Sequence, residues 1–245
     1  MSPRVKKSIQ SIAAALFWLA VWQAAAAAVG RELLLPTPAA AFTALARNAV
    51  QTEFWHSVTL SLLRVLLGFA SGVVLGTVFG AVTKAFKTMD ILLSPLLRIV
   101  RATPVASFII LALVWISSGI LPGFISMLMV IPVVWANIYE GISSVDSDLL
   151  EVAKVYRFSG FKTLKLIYLP SLRPYFKAAI ITSLGMAWKS GIAAEVLCQP
   201  KGSIGIGLYY SKLYLETADL FAWTAVVIIL SFIVEKGVAA LLKRM

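Results

Sequence analysis

Lys189 and Glu195 stand where ionisable side chains are rare, inside a long apolar run beside Trp188, Ser183, Ser190, Gly185 and Gly191. A charge at such a depth is costly unless it meets a partner or a water-filled path. Six residues apart, the two lie about 240° apart around a helix, so they do not pair within it. Lys189 suits attraction of an anion and Glu195 suits a gate near the outer end of the run. An ion pair with another helix or subunit would satisfy either. Arg64 lies about two turns inside a different apolar run and must snorkel to the rim or find a partner. Other chemistry is scarce. A single Cys198 gives no disulfide framework or cysteine metal site, and a lone His56 makes a histidine metal site unfavourable. No G-x-x-x-x-G-K-[ST] phosphate loop occurs, so neither ATP hydrolysis, a catalytic group nor a resident cofactor is expected in this chain.

The elements that must position these charges are membrane helices. Of 245 residues, 60% are hydrophobic and 13% charged, and the mean hydropathy is +0.90. A water-soluble domain of that composition would expose too much apolar surface. Period-2 alternation is absent, which argues against a membrane barrel. The fold class is all-α and polytopic, with six expected spans: Ile9–Val29, Val58–Val82, Val100–Ser117, Gly123–Tyr139, Tyr175–Leu197 and Leu220–Leu242. The first exceeds the roughly 7–15-residue apolar core of a signal peptide and reads as a retained helix. No linker divides the chain, so residues 1–245 read as one domain.

The net charge of +11 comes from basic clusters between apolar runs, a topology signal rather than a nucleic-acid surface. Sixteen Lys/Arg fall at the two ends and in the second and fourth connections: Arg4, Lys6, Lys7; Lys84, Lys87, Arg98, Arg101; Lys154, Arg157, Lys162, Lys165, Arg173, Lys177; Lys236, Lys243, Arg244. The alternate connections hold only Arg31, Arg47, Lys201 and Lys212. The positive-inside rule then places both termini and the long basic connection in the cytoplasm. Thr37-Pro38 predicts a capped short helix near the outer surface. Gln199–Thr217, with Gly202, Gly205 and Gly207, predicts a folded or re-entering loop. Gly68, Gly72, Gly76 and Gly80 clear one face of the second span for close helix packing. Pro104, Pro122 and Pro132 invite kinks.

The fourth connection, about residues 142–172, is too elaborate for a loop. Asp146, Ser147 and Asp148 offer cap oxygens, and Leu149, Val152, Ala153 and Tyr156 form an apolar face at i, i+3, i+4, i+7. Ser159-Gly160 breaks the pattern. Phe161, Leu164 and Tyr168 resume it, and Pro170 is expected to end it. Two short helices at an angle make a compact knob. It serves either to dock a cytoplasmic protein or to lie on the anionic inner leaflet.

This segment resembles the EAA loop of ABC importer permeases. Glu151, Ala153, Ile167, Leu169 and Pro170 match that motif in type and spacing. Val152 stands in place of its second Ala and Arg157 in place of its usual Gly, with Gly160 three positions later. Ser57–Gly76, Leu96–Phe108, Gly185–Leu197 and Gly202–Leu208 resemble the nitrate/taurine/sulfonate-type permeases. The resemblance implies a type I importer permease fold. Glu151, Ala153, Arg157, Gly160, Ile167, Leu169 and Pro170 would couple to a separate cytoplasmic ATPase pair, which holds the ATP and magnesium. It also implies a second permease copy and an extracytoplasmic binding protein. Lys189, Glu195, Trp188 and Ser190 would then be candidates for the translocation path, and the solute would be a small anion or a thiamine-type precursor. An ion-coupled carrier using Lys189 and Glu195 is the alternative from another class. A non-transporting scaffold whose knob recruits a partner is a third.

Overall fold

The computed structural model describes residues 3–243, so Arg244 lies outside the described residues. The helices are α1 (Pro3–Val29), α2 (Pro38–Ala49), α3 (Thr52–Ala85), α4 (Lys87–Ala102), α5 (Val105–Ala112), α6 (Leu121–Ser143), α7 (Ser147–Val155), α8 (Gly160–Thr163), α9 (Leu169–Cys198), α10 (Ile204–Leu213) and α11 (Thr217–Lys243), with a π turn at Leu164–Tyr168. No strand occurs among the described residues.

The centre is a three-helix stack of α3, α6 and α9, and the glycines explain why it closes so tightly. A Cβ on Gly68 would fall on the Gly123 carbonyl of α6. On Gly72, Gly76 and Gly80 it would lie 2.7 Å from the Cβ atoms of Val130, Val134 and Ile138 respectively. Two series at four-residue spacing therefore interlock, small on α3 and branched on α6. Gly191 of α9 does the same against Ser126 and Val65, where an added Cβ would come within 2.6 Å of both. Ser126 Oγ donates across this contact to the Ala187 carbonyl at 3.0 Å.

The six-span expectation is met only in part. Four helices, α1, α3, α6 and α11, are long and apolar enough to cross a membrane. The expected span Val100–Ser117 is not one helix: α4 and α5 meet at a bend of 105°, as a broken span or re-entrant pair. Pro104 is the cause, since its ring disfavours a helical conformation at Thr103, which is extended at ψ 133°. Pro122 sits in the first turn of α6, where a missing N–H costs nothing, and Pro132 lies within the unbroken helix. With 30 residues α9 is longer than α6, yet it falls short of the apolarity the four share.

The segments that join α1 to α3 and α9 to α11 fold as caps. Thr37 Oγ1 accepts from the Ala40 N–H at 3.2 Å and starts α2. Asp219 fastens α2 to α11, taking bonds from Arg47 at 2.6 Å and Asn48 at 2.8 Å. The Gln199–Thr217 segment contains α10, started by Ser203, whose Oγ accepts from the Ile206 N–H. By contrast α1 stands nearly alone. Among its described side chains only Ala26 is buried. Trp22 pins its C-terminal end, donating to the Pro36 carbonyl and stacking on Phe221.

Candidate functional site

The knob is built from two caps and one unusual turn. Asp146 Oδ1 accepts from the Asp148 N–H at 2.9 Å and opens α7. The helix closes in a Schellman motif: the Phe158 N–H reaches the Ala153 carbonyl and the Arg157 N–H the Lys154 carbonyl. Arg157 takes the left-handed conformation, φ +51°. The usual Gly of the motif has a physical reason here, because a residue with a Cβ costs about 1 kcal/mol more in that conformation. The break lies at Tyr156–Phe158 rather than at Ser159-Gly160. Ser159 instead caps α8, and Gly160 is its first residue, with open space where a Cβ would stand.

Pro170 does not end the knob's second helix. The chain runs unbroken from α8 through the π turn into α9, and Pro170 occupies the first turn of α9. The Leu169 N–H bonds the Leu164 carbonyl, five residues back. This widened turn precedes the proline, whose ring would crowd an ordinary α turn. Ala153 and Ile167 are buried, whereas Glu151, Leu169 and Pro170 are exposed. Of the apolar face only Ala153 is covered: Leu149 is 46% exposed, Val152 48% and Tyr156 72%, and Phe161 beyond is 75% exposed.

Glu195 is wholly buried and closes an ion pair between helices. Its carboxylate accepts from Ser61 Oγ at 2.7 Å, Arg64 at 3.5 Å and the Gly205 N–H at 3.2 Å. Arg64 donates further to the Gly202 and Lys201 carbonyls, both at 3.1 Å. Ser61 accepts from the Ile204 N–H at 2.9 Å. Arg64 therefore does not snorkel free; it and Glu195 lock the α9–α10 connection onto α3. Gly205 is required where it stands, since a Cβ there would collide with Glu195. Trp188 is buried and donates Nε1–H to the Val227 carbonyl of α11 at 3.1 Å. Ser190 is buried and bonds the Ala187 carbonyl at 3.2 Å. Lys189 is exposed and lines an open groove of about 270 Å³ with Val105, Met129, Met186, Ser190 and Ala193. A larger cavity, about 490 Å³, lies between α2 and the start of α11, away from these charges. No cluster of His, Cys, Asp or Glu among the described residues has the makings of a metal site.

Residues 72–245 match the family described as the binding-protein-dependent transport system inner membrane component. The chain belongs to this family. It is an ABC importer permease, similar to those of the nitrate/taurine/sulfonate type. The Bacillus subtilis (strain 168) protein named as an aliphatic sulfonates transport permease, SsuC, is 27% identical over 83% of this chain and 74% of its own length. The taurine transport system permease protein TauC of Escherichia coli (strain K12) is 25% identical over 100% of this chain and 90% of its own. The nitrate import permease protein NrtB of Synechococcus elongatus is 25% identical over 89% and 81%.

Sequence reasoning about this permease overlooked Glu235. It lies inside α11, accepts from Ser231 at 3.3 Å and approaches Gly185, where an added Cβ would lie 3.8 Å from its carboxylate. The signal was available, an acid beyond the first turn of a largely apolar helix of 27 residues whose other acid is Asp219.

Proposed function

We propose that this permease is driven by a separate cytoplasmic ATPase pair gripping the α7–α8 knob, and imports a small anionic solute handed over by an extracytoplasmic binding protein. Both termini and the knob face the cytoplasm, and a second copy of the chain completes the path. The observation that carries this reading is mechanical continuity: Gly160–Cys198 form one uninterrupted helical rod. A force that tilts the knob is applied directly to α9, the helix bearing Lys189, Trp188, Ser190 and Glu195. The exposed Leu149, Val152 and Tyr156 of the α7 apolar face, rimmed by Lys154 and Arg157, support docking to a protein groove. Glu151, Ala153, Arg157, Gly160, Ile167, Leu169 and Pro170 form the coupling surface and its supports. The packed seam of α3 and α6 is the stiff body against which α9 moves.

The ion-coupled carrier loses ground because Glu195 is already engaged by three donors. Tagged permease expressed with its ATPase should bring that ATPase down in detergent. Glu151→Arg, or replacement of residues 147–168 by a flexible linker, should release the ATPase while the permease still inserts. Retention of the ATPase with undiminished ATP-dependent uptake would refute the coupling role.

A further inference from the structure

Glu235 of α11 and Lys189 of α9 are exposed ionisable side chains on helices that touch, and neither makes a salt bridge among the described residues. Two contacts fix the register of these helices. Trp188 bonds the Val227 carbonyl, and the Glu235 carboxylate lies 3.8 Å from where a Cβ on Gly185 would stand. Positions on α11 rise while those on α9 fall, so the two helices run antiparallel here. Lys189 lies one turn of α9 beyond Gly185, about 40° around the axis, and the Cβ positions of such neighbours are about 5–6 Å apart.

Side chains on a helix lean toward its N-terminus. Lys189 therefore leans toward Gly185. Glu235 leans toward Ser231, whose hydroxyl donates to it at 3.3 Å. Because the helices are antiparallel, the two charges lean toward each other. Gly185 keeps the space between them clear, since a side chain there would stand against the carboxylate. Lys177, about two turns nearer the N-terminus of α9, leans away by the same rule. In this structure Lys189 turns to the groove beside Met186, and Glu235 holds the Ser231 hydroxyl.

We infer that Lys189 and Glu235 are the two halves of a latch between α9 and α11, open in this structure and closed in another state of the transport cycle. The inference rests on the importer reading above, in which the knob tilts α9. A small rotation of α9 that turns Lys189 from the groove toward α11 brings its ammonium to the carboxylate across the bare turn at Gly185. Closed, the latch makes α11 follow the rod. Open, it lets α9 tilt by itself. The flexible stem of lysine suits a contact that is made and broken in each cycle. The other tie, from Trp188 to the Val227 carbonyl, involves no ionised group and holds the helices together in either state.

The test uses the assembled transporter, with its ATPase and binding protein, in proteoliposomes. Lys189→Cys and Glu235→Cys are combined in a Cys198→Ser background and treated with a short bis-maleimide, once without nucleotide and once with ATP and vanadate. The expected result is a bridge within one chain, found by peptide mass spectrometry, that forms at clearly different rates in the two conditions. Lys189→Glu and Glu235→Lys should each lower the ATP hydrolysis stimulated by the binding protein about tenfold, the loss of a charged hydrogen bond. The exchanged pair should recover about a third of it or more, because the two residues are coupled to each other. A lysine that acted without Glu235 would gain nothing from the exchange. Glu235→Gln removes the charge at nearly constant size and should lower the hydrolysis in the same direction, which decides the matter should a reversed charge not insert. A covalent dimer in place of the bridge within one chain, no bridge, equal rates in the two conditions, or no recovery on exchange would overturn the inference. Failure of the unaltered chain to hold its ATPase would instead overturn the importer reading.

Discussion

Glu195 and Arg64 show what a buried charge costs and what it organises. Four groups from α3, the α9–α10 connection and the start of α10 converge on one carboxylate and its partner, and among the described residues no buried side-chain nitrogen or oxygen is left without a hydrogen bond. Removing one member strands the other. Glu195→Ala should destabilise the folded permease by about 3 kcal/mol, and Arg64→Ala by a similar amount. The double variant should cost clearly less than the two single effects combined, and unfolding midpoints in detergent across the cycle measure this. Additive losses would mean the two residues act separately. The sequence told that Glu195 needs a partner or a water-filled path and that Arg64 must snorkel or find a partner, because each stands inside an apolar run. It could not tell that they are partners of one another, since 131 positions separate them and only the docking of α3 on α9 unites them. Lys189 read the same way in the sequence, yet it points into an open groove. Side-chain direction around a helix, not depth along it, separates the two cases.

At the scale of elements the most legible feature was the glycine series on α3. Four glycines at a spacing of four declare a close approach, but not which helix approaches. The structure supplies α6, through Val130, Val134 and Ile138. Gly76→Leu should force α3 and α6 apart and cost about 3 kcal/mol or more, read as loss of a monodisperse peak in detergent gel filtration. Gly237, with nothing within 4 Å of an added Cβ, provides the control: Gly237→Ala should elute like the unaltered protein. Two elements escaped the sequence for identifiable reasons. At the α4–α5 elbow Pro104 announced a kink, but not a break of 105° that divides the expected span, because averaging hydropathy over a window erases it. The π turn before Pro170 looks in sequence like a helix stop, because the proline rule describes α geometry and the widened turn avoids the clash. Arg157 hid a turn for the opposite reason. It shows no glycine, yet it adopts the conformation that glycine favours.

For the molecule as a whole, the asymmetry of its basic residues predicts the orientation, and the prediction requires the α4–α5 pair and α9 each to cross the membrane. Four or five spans by apolarity and six by the sequence pattern differ only in how α4, α5 and α9 are scored. In a Cys198→Ser background, a cysteine at Lys154 should react with an impermeant maleimide only from the cytoplasmic side, and one at Lys201 only from the outer side. The reverse pattern would invert the molecule and remove the knob from any cytoplasmic ATPase. A last consequence concerns α1, pinned by Trp22 and otherwise leaning on little of its own subunit. Within this chain Leu16, Phe17 and Trp18 answer to little beyond greasiness, whereas Gly72 admits no substitute. Mutational tolerance should thus be graded along the polypeptide, permissive at its outrigger and unforgiving at its keel.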